Sequence, residues 1–317
     1  MTKEIKLPVL YIVIPCYNEE KVLPITSDLF IKKIKELVKE KLIDTKSRIL
    51  FVNDGSKDDT WNIIFDLARN NKYVEGISLS RNVGHQNALL AGLMQAKDRC
   101  DISISIDCDG QDDIDAMNEM IERYNDGYDI VYGVRSKRDT DSFFKRFTAQ
   151  SFYKLLNLLG GEVVYNHADY RLLSSRVLNE LANYKEVNIF LRGMVPLIGF
   201  NSVIVYYQRN ERLAGESHYP LSKMLSLAAD GISSLSIKPL RIIMAIGVVT
   251  CIFSFVLFIV FLFISSINKS VLILESIICL LLGIVLVSLG VVGEYVGKTY
   301  MESKHRPRYI IEEKTFK

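Results

Sequence analysis

Short apolar runs alternate with longer stretches of helical periodicity over the first two-thirds of the chain. The apolar runs are bounded by polar clusters, a pattern that predicts strands separated by helices. The predicted strands are Val9–Ile14, Arg48–Val52, Gly76–Leu79, Ile102–Ile106 and Asp129–Gly133. The predicted helices are Glu20–Lys41, Asp58–Asn71, His85–Lys97 and Asp112–Asn125. This order predicts an α/β fold built on a mainly parallel sheet.

The pattern becomes irregular after Gly133, where Ser202–Gln208 is a further candidate strand. Two amphipathic stretches, Phe143–Leu159 and Tyr219–Lys238, mix apolar residues with Lys, Arg and Ser. Such stretches form either ordinary domain helices or helices that lie in a membrane interface. Both interpretations stay open from the sequence alone.

Two uncharged stretches follow, Ile242–Asn268 and Ser276–Gly293. Each is long enough to cross a bilayer, although a buried core helix is the alternative. Because the polar residues 268–270 lie between them, we expect a membrane hairpin with a turn there. The flanking basic residues predict that both flanks lie in the cytoplasm. These residues are Lys238, Arg241, Lys298, Lys304, Arg306 and Arg308.

These patterns divide the chain into four parts. We expect a cytosolic α/β domain, an amphipathic linker, two membrane helices and a cytosolic tail. The expected ranges are 1–218, 219–240, 241–296 (helices at about 241–266 and 274–295) and 297–317. The apolar run Val9–Ile14 is too short for the hydrophobic region of a signal peptide.

Composition restricts the cellular compartment and the kinds of partner that we expect. The chain has 317 residues and five scattered cysteines without a Cys-x-x-Cys pair, which predicts a reduced domain with neither disulfides nor zinc. A net charge of +2 is too small to favour nucleic acid as a partner. The basic residues near the predicted membrane helices instead favour anionic lipid head groups.

The main candidate for chemistry is Asp107-Cys108-Asp109-Gly110-Gln111, which follows the alternating run 101–106. That alternation predicts a half-buried strand. Two carboxylates and an amide oxygen are ligands suited to Mg²⁺ or Mn²⁺. Further polar clusters, Pro15–Glu20 and Asn53–Ser56, follow the first two predicted strands. Because ligands of such sheets bind at the carboxyl ends of strands, we expect one shared site there.

These three clusters, in this order, resemble the motifs of glycosyltransferase family 2 over about residues 8–220. The segment Ser80–His85 resembles the family's Arg-Asn-x-Gly-Lys, with His85 where Lys is frequent. Three further segments resemble the branch that acts on polyprenyl phosphates, the bacterial undecaprenyl-phosphate (bactoprenol) glycosyltransferases related to dolichol-phosphate mannose synthase. They are Asp169–Leu172, Arg212–Leu221 (with His218 in place of a frequent Lys) and Gly293–Lys298.

The resemblance implies a Rossmann-like GT-A fold that binds a nucleotide sugar, with UDP expected and GDP as the alternative. It implies that Asp109 and Gln111 hold the metal ion, and that Asp107 contacts the donor's ribose or sugar. It further implies that Asp54 contacts the base. The nucleoside pocket would be lined by Pro15, Tyr17 and Glu19.

The implied acceptor explains why no general base stands out. A lipid phosphate is largely dianionic at neutral pH and needs cations to hold it beside an anionic donor. Arginine binds phosphate in a bidentate manner, so arginines are the candidates. The expected catalytic cations are Arg135, Arg146 and Arg212, with Arg138, Arg209 and Ser151 as further binding candidates.

We therefore expect inverting transfer of a single sugar to undecaprenyl phosphate at the cytoplasmic leaflet of a bacterial inner membrane. The expected donor is UDP-glucose or a UDP-N-acetylhexosamine, and the resemblance suggests a homo-oligomer such as a tetramer. A processive polysaccharide synthase is one alternative, although its Gln-x-x-Arg-Trp motif is absent because the only tryptophan is Trp61. A non-catalytic membrane scaffold is the other.

Overall fold

The fold is described from a computed structural model. It covers residues 6–136, 167–187, 189–209 and 267–316, together with positions 240, 243, 245–247, 249, 250, 252 and 256. The predicted stretches Phe143–Leu159 and Tyr219–Lys238 lie outside these residues.

An eight-stranded mixed sheet forms the centre of the domain. Its strands are β1 Leu10–Cys16, β2 Arg48–Asn53, β3 Val74–Leu79, β4 Ile102–Ser105, β5 Ile130–Arg135, β6 His167–Ser174, β7 Ser202–Tyr207 and β8 Ile311–Lys314. Their order is β7-β5-β6-β4-β1-β2-β3-β8. Strands β6 and β8 run antiparallel to their neighbours, and the other pairs are parallel. The predicted α/β class is thus confirmed, with a sheet less uniformly parallel than expected.

Helices cover both faces of this sheet. They are α1 Leu23–Lys39, α2 Thr60–Asn70, α3 His85–Ala96, α4 Ala116–Asn125, α5 Ser175–Leu181 and α6 Leu191–Leu197. Alternate residues of β1 enter two separate cores, so Ile12 packs with α1, α2 and α4. Its neighbour Val13 packs with α3, α5 and α6. Burial on both faces is why the sequence of β1 is almost continuously apolar.

Strand β4 differs from its prediction. The alternation of isoleucine and serine suggested that one face meets solvent, whereas all four residues of β4 are buried. The hydroxyls of Ser103 and Ser105 donate hydrogen bonds to backbone carbonyls of the adjacent β6. Because a buried hydroxyl is tolerated when it is hydrogen-bonded, the polar positions of this strand can face the interior.

The C-terminal part contains one long helix, α7, which spans Ile267–Ser303. Residues 268–270, where the sequence predicts a turn, belong to the first turn of α7 instead. Within the segment Leu280–Ser303, the most apolar 18-residue window has a mean hydropathy of 2.1, and none of this window is buried within the molecule. Among the described residues this is the one helix that is long and apolar enough to cross a membrane.

The close approach of α3 to the sheet depends on Gly92. A Cβ atom at this position would lie 2.4 Å from Cγ1 of Val13 and 2.7 Å from Cγ2 of Val52. We expect Gly92→Val to lower the free energy of unfolding of the domain by about 1–3 kcal/mol, because overpacked cores must shift their backbone. Urea unfolding followed by the fluorescence of Trp61, the only tryptophan, measures this change.

The matched control is Gly290→Val in α7, where a Cβ atom meets no neighbour. This control should leave the Trp61 transition unchanged. An equal loss of stability in both variants would mean that the helix–sheet contact is not responsible.

Candidate active site

The acidic loop 107–111 leaves the carboxyl end of β4 and turns sharply. Gly110 has a φ of +68°, a left-handed conformation that glycine adopts without strain. The backbone N–H of Gln111 donates to Oδ1 of Asp109 at 3.1 Å, which closes the turn. The side chains of Asp107, Asp109 and Gln111 are all partly exposed. The loop therefore offers oxygen ligands at the open edge of the sheet.

His85 lies between two carboxylates at this edge. Its Nε2 atom is 3.7 Å from Oδ1 of Asp107 and 3.4 Å from Oδ2 of Asp169. Burial acts to lower the pKa of His85, but Asp169 and Asp107 raise it above the usual value. The imidazole thus joins the start of α3 to the acidic loop and to β6.

Asp169 is almost fully buried and is surrounded by cations. Its carboxylate accepts hydrogen bonds from Arg171 and from Nη2 of Arg192, the latter at 3.0 Å. Burial acts to raise the pKa of Asp169, but Arg192, His85 and Arg171 hold it well below the usual range. Gln86 completes the group, because it donates to Asp169 and accepts from the backbone N–H of Leu191. Asp169 therefore stays ionised and orients its neighbours.

The pKa of Asp107 is shifted in the opposite direction to that of Asp169. Burial raises its pKa to about 6, with Asp112, Asp169 and Asp109 adding to the increase and His85 opposing it. Three further carboxylates around one partly exposed aspartate create a negative local potential. A cation bound at this edge would relieve that repulsion.

A second cluster lies beside the loop and is centred on Asp112, which is buried. Oδ1 of Asp112 accepts hydrogen bonds from the hydroxyl of Tyr207 at 2.7 Å and from Nη2 of Arg135 at 3.2 Å. Arg135 also donates from Nε to the Tyr207 hydroxyl at 3.3 Å. Parallel pairing of β5 with β7 sets Arg135 directly opposite Tyr207. The predicted cation Arg135 is therefore held in a fixed orientation.

Arg209 reaches the acidic loop from the end of β7. Its guanidinium donates to Oε1 of Gln111, and its backbone pairs with that of Asp112. Partial desolvation and the neighbouring Arg135 lower the pKa of Arg209, whereas Asp112 and Asp109 act in the opposite direction. Two guanidinium groups therefore lie close together beside the acidic loop.

The two loops predicted to line a nucleoside pocket are bound to each other. Asn18 has a φ of +54°, its backbone N–H donates to Oγ of Ser56, and its Oδ1 accepts from the N–H of Lys57. The backbone N–H of Glu19 donates to Oγ1 of Thr60 at 2.8 Å. Pro15 is buried within β1, whereas Tyr17 is exposed. These side chains therefore lie at the same edge as the acidic loop.

Asp54 ties β2 to the segment before α3. Its two carboxylate oxygens accept the backbone N–H groups of Val83 and Gly84 at 2.8 and 3.0 Å. Gly55 follows with a φ of +60°, and a Cβ atom there would lie 2.4 Å from the backbone carbon of Arg81. Asp54 thus shapes the loop that presents His85, and its predicted contact with a base stays a prediction.

Several predicted residues lie outside the described part of the chain, namely Arg138, Arg146, Ser151, Arg212 and His218. Sequence reasoning also missed some residues of the site, namely Gln86, Asp112, Arg192 and Tyr207. Gln86 follows His85 and Asp112 follows Gln111 in the sequence, so the positions of these two residues were usable signals. Arg192 and Tyr207 join the site through helix and strand pairings that are distant in sequence.

Comparison with known proteins decides the family. The sequence profile of glycosyl transferase family 2 matches residues 11–182, more than half of the chain. The chain belongs to this family. The "Uncharacterized glycosyltransferase YkoT" of Bacillus subtilis is 49% identical over 96% of this chain and 91% of its own length. The "Prophage bactoprenol glucosyl transferase homolog" of Escherichia coli is 39% identical over 95% of this chain and 97% of its own length.

Solved structures are only distantly similar to this glycosyltransferase. Glucosyl-3-phosphoglycerate synthase from Mycobacterium tuberculosis, in complex with Mn²⁺, UDP-glucose and phosphoglyceric acid, is 19% identical. It covers 72% of this chain and 78% of its own, with a TM-score of 0.46. The family assignment therefore depends on the sequence relatives, and it confirms the resemblance inferred from the motifs.

The donor set of this glycosyltransferase fits a divalent cation that substrate helps to hold. Among the described residues no group of three or more His, Cys, Asp or Glu side chains forms a complete metal cage. Asp109 and Asp107 nevertheless offer two carboxylates within a negative potential. Mg²⁺ and Mn²⁺ commonly take one or two protein carboxylates and complete their shell with phosphate oxygens. Gln111 can join them through the second lone pair of its Oε1, since one lone pair accepts the hydrogen bond from Arg209.

The carboxylate of Asp54 should be essential for the shape of the His85 loop. In Asp54→Asn an amide N–H₂ replaces one oxygen and faces a backbone N–H, so one buried donor loses its partner. We expect a loss of about 1–3 kcal/mol in the free energy of unfolding. Amide hydrogen exchange should also become faster at Val83 or Gly84.

Asp66→Asn, an exposed change on α2, is the control and should leave exchange in this loop unaltered. Unchanged protection of Val83 and Gly84 in Asp54→Asn would contradict the structural role of this carboxylate.

Proposed function

We propose that this glycosyltransferase transfers a single sugar, glucose first among the candidates, from a UDP-sugar to undecaprenyl phosphate with inversion at the anomeric carbon. The observation that carries the proposal is that acidic and cationic side chains lie side by side at the carboxyl edge of the sheet. Arg209 donates to Gln111 of the acidic loop, and Arg135 donates to Asp112, the residue that follows this loop. The relative named bactoprenol glucosyl transferase homolog, which aligns over 95% of this chain, supports the acceptor class.

The negative side suits the donor. We propose that Asp109, with Asp107 beside it and Gln111 as a further ligand, holds Mg²⁺ or Mn²⁺. When bound, such an ion stabilises the charge that develops on the leaving diphosphate as a Lewis acid. His85 and Asp169 keep the Asp107 end of the loop in place. We propose that Pro15, Tyr17, Glu19 and Asp54 form the nucleoside side of the pocket.

The positive side suits the acceptor. A phosphate monoester is largely dianionic at neutral pH and attacks without a general base, so its main requirement is compensation of charge. Arg135 is oriented by Asp112 and Tyr207, and Arg209 lies next to the acidic loop. We propose that these two arginines bind the acceptor phosphate together with Arg146, Arg212 and Ser151. Attack from the side opposite the diphosphate inverts the anomeric centre.

Helix α7 supports a membrane location for the reaction. We propose that it crosses the inner membrane of a bacterium with a second helix at about 241–266, and that both flanks and the catalytic domain lie in the cytoplasm. The acceptor would then be taken from the cytoplasmic leaflet, where anionic lipids also contact the basic flanks. We propose that the chain acts as a homo-oligomer, with a tetramer as the first candidate.

The proposed metal ligand can be tested directly. The purified protein in liposomes that contain undecaprenyl phosphate is given UDP-glucose and Mn²⁺, and the lipid product is identified by mass spectrometry. We expect Asp109→Asn to lower transfer by about 10³-fold or more, since Lewis-acid stabilisation contributes several kcal/mol. Addition of EDTA should suppress transfer by the unaltered protein, and Mn²⁺ or Mg²⁺ should restore it.

Asp66→Asn serves as the control of equal charge change and should be fully active. Equal turnover by Asp109→Asn at saturating metal would refute the metal assignment. Absence of any lipid product from the unaltered protein with every UDP- and GDP-sugar tried would refute the proposed function.

Replacing Arg209 tests the proposed binding of the acceptor phosphate without disturbing the fold. Arg135 is paired with the buried Asp112, so its removal would also destabilise the domain. Arg209 is exposed, and we expect Arg209→Ala to raise the KM for undecaprenyl phosphate about tenfold, as loss of a charge-assisted contact of about 1.5 kcal/mol predicts. The KM for the donor should change much less.

Arg69→Ala, at the exposed end of α2, is the matched control and should not change either KM. A larger effect on the donor KM than on the acceptor KM would contradict the assignment of Arg209 to the acceptor phosphate.

A further inference from the structure

The chain returns to the catalytic domain after α7. Residues 302–316 begin at the end of the apolar helix and finish as β8, which extends the sheet beyond β3. We call this segment the C-terminal strap. The family profile ends at residue 182, so the strap lies outside the matched residues.

Backbone pairing attaches the strap at the edge of the sheet. Strand β8 runs antiparallel to β3, with Lys314 opposite Ile77 and Glu313 opposite Ser78. The backbone N–H of Ser80 donates to the carbonyl of Ile310 at 3.0 Å, and that of Thr315 donates to the carbonyl of Gly76. These bonds cover a sheet edge that would otherwise be open to other strands.

Side chains add to this first attachment. The indole Nε1 of Trp61 donates to Oε2 of Glu313 at 2.8 Å, and the N–H of Gly76 donates to Oγ1 of Thr315 at 2.8 Å. The guanidinium of Arg99 lies 4.2 Å from the centre of the Phe316 ring. These contacts reach α2, β3 and the α3–β4 connection. Together they fix the register in which β8 pairs with β3.

A second attachment lies close to the end of α7. Both carboxylate oxygens of Glu302 accept the backbone N–H of Val187, at 2.7 and 2.9 Å. Arg308 donates to the carbonyl of Tyr184. These contacts lie in the connection between α5 and α6, whereas β8 pairs with β3.

Two separate attachments restrict rotation of the domain about the end of α7. A single flexible connection would let the domain sweep over a wide range of orientations. Only residues 304–310 separate α7 from β8, a reach of about 25 Å even when fully extended. The strap therefore limits both the distance and the angle between the catalytic edge and the apolar helix.

We propose that the C-terminal strap is a positioning element that holds the catalytic edge of the domain toward an acceptor embedded in the bilayer. This inference rests on the proposed function, because it requires a lipid-linked acceptor. A misplacement of about 1 Å can cost as much as about 100-fold in rate, so a loosely held domain would lose turnover on a membrane-bound substrate. A small acceptor that diffuses in water to the site would be used equally well in either case.

The test compares two acceptors for each variant. One is undecaprenyl phosphate in liposomes, and the other is a water-soluble short-chain prenyl phosphate in detergent. The variants are a chain that ends at Tyr309 and the double change Glu313→Ala with Thr315→Val, which removes two acceptors from the first attachment. The matched control is Glu312→Ala, an exposed residue of β8 with the same change of charge.

We expect both strap variants to lose about tenfold or more in kcat/KM for undecaprenyl phosphate and to stay within about twofold for the soluble acceptor. Glu312→Ala should match the unaltered protein with both. Equal losses on the two acceptors would overturn the proposal, because the strap would then support the fold or the site itself. Unchanged activity on both acceptors would overturn it as well.

A distance measurement separates this proposal from the proposed function. Spin labels carried by unnatural amino acids at Asp66 on α2 and Met301 on α7 report the orientation of the domain. In the strap variants the distance distribution should become markedly broader than in the unaltered protein. An equally narrow distribution would overturn the strap as a positioning element, whereas absence of transfer by the unaltered protein would refute only the proposed function.

Discussion

The buried carboxylate of Asp169 is the constraint on which the arrangement of the active site depends. Burial of an ionised carboxylate costs several kcal/mol unless cations and hydrogen bonds compensate it. Arg171 and Arg192 supply that compensation, and His85 adds a third contact. Because these residues come from β6, α6 and the start of α3, satisfying one charge brings three distant elements together beside the acidic loop. The contact between His85 and Asp107 then sets the position of the acidic loop.

The sequence allowed the first half of the domain to be predicted closely. Strands β1 to β5 and helices α1 to α4 follow simple periodicity, and each predicted element overlaps the observed one. The site could be foreseen because parallel strands direct their carboxyl ends to one edge, where the Pro15, Asn53 and Asp107 clusters meet. Local sequence patterns are enough to predict the fold wherever elements that pack together are also neighbours in sequence.

The remainder depends on long-range pairings that leave little local signal. Strand β6 enters the sheet antiparallel between β4 and β5, and its register sets Arg171 opposite Ser105. Continued by two residues, that register puts Asp169 beside Asp107, which no spacing in the sequence reveals. Strand β8 was missed for the same reason, since its partner β3 lies more than 200 residues earlier. The serines of β4 misled the burial prediction because their hydroxyls bond to β6.

The residue type at position 111 determines how Arg209 is held beside the acidic loop. Gln111 accepts a hydrogen bond from Arg209 through a neutral amide, so the contact positions the guanidinium without cancelling its charge. A glutamate there would form an ion pair with Arg209 and would add another carboxylate to the group that already raises the pKa of Asp107. The neutral amide therefore orients the guanidinium of Arg209 without adding a carboxylate to the acidic loop. In the proposed function this arrangement would let two anionic substrates be held next to each other, which transfer between them requires.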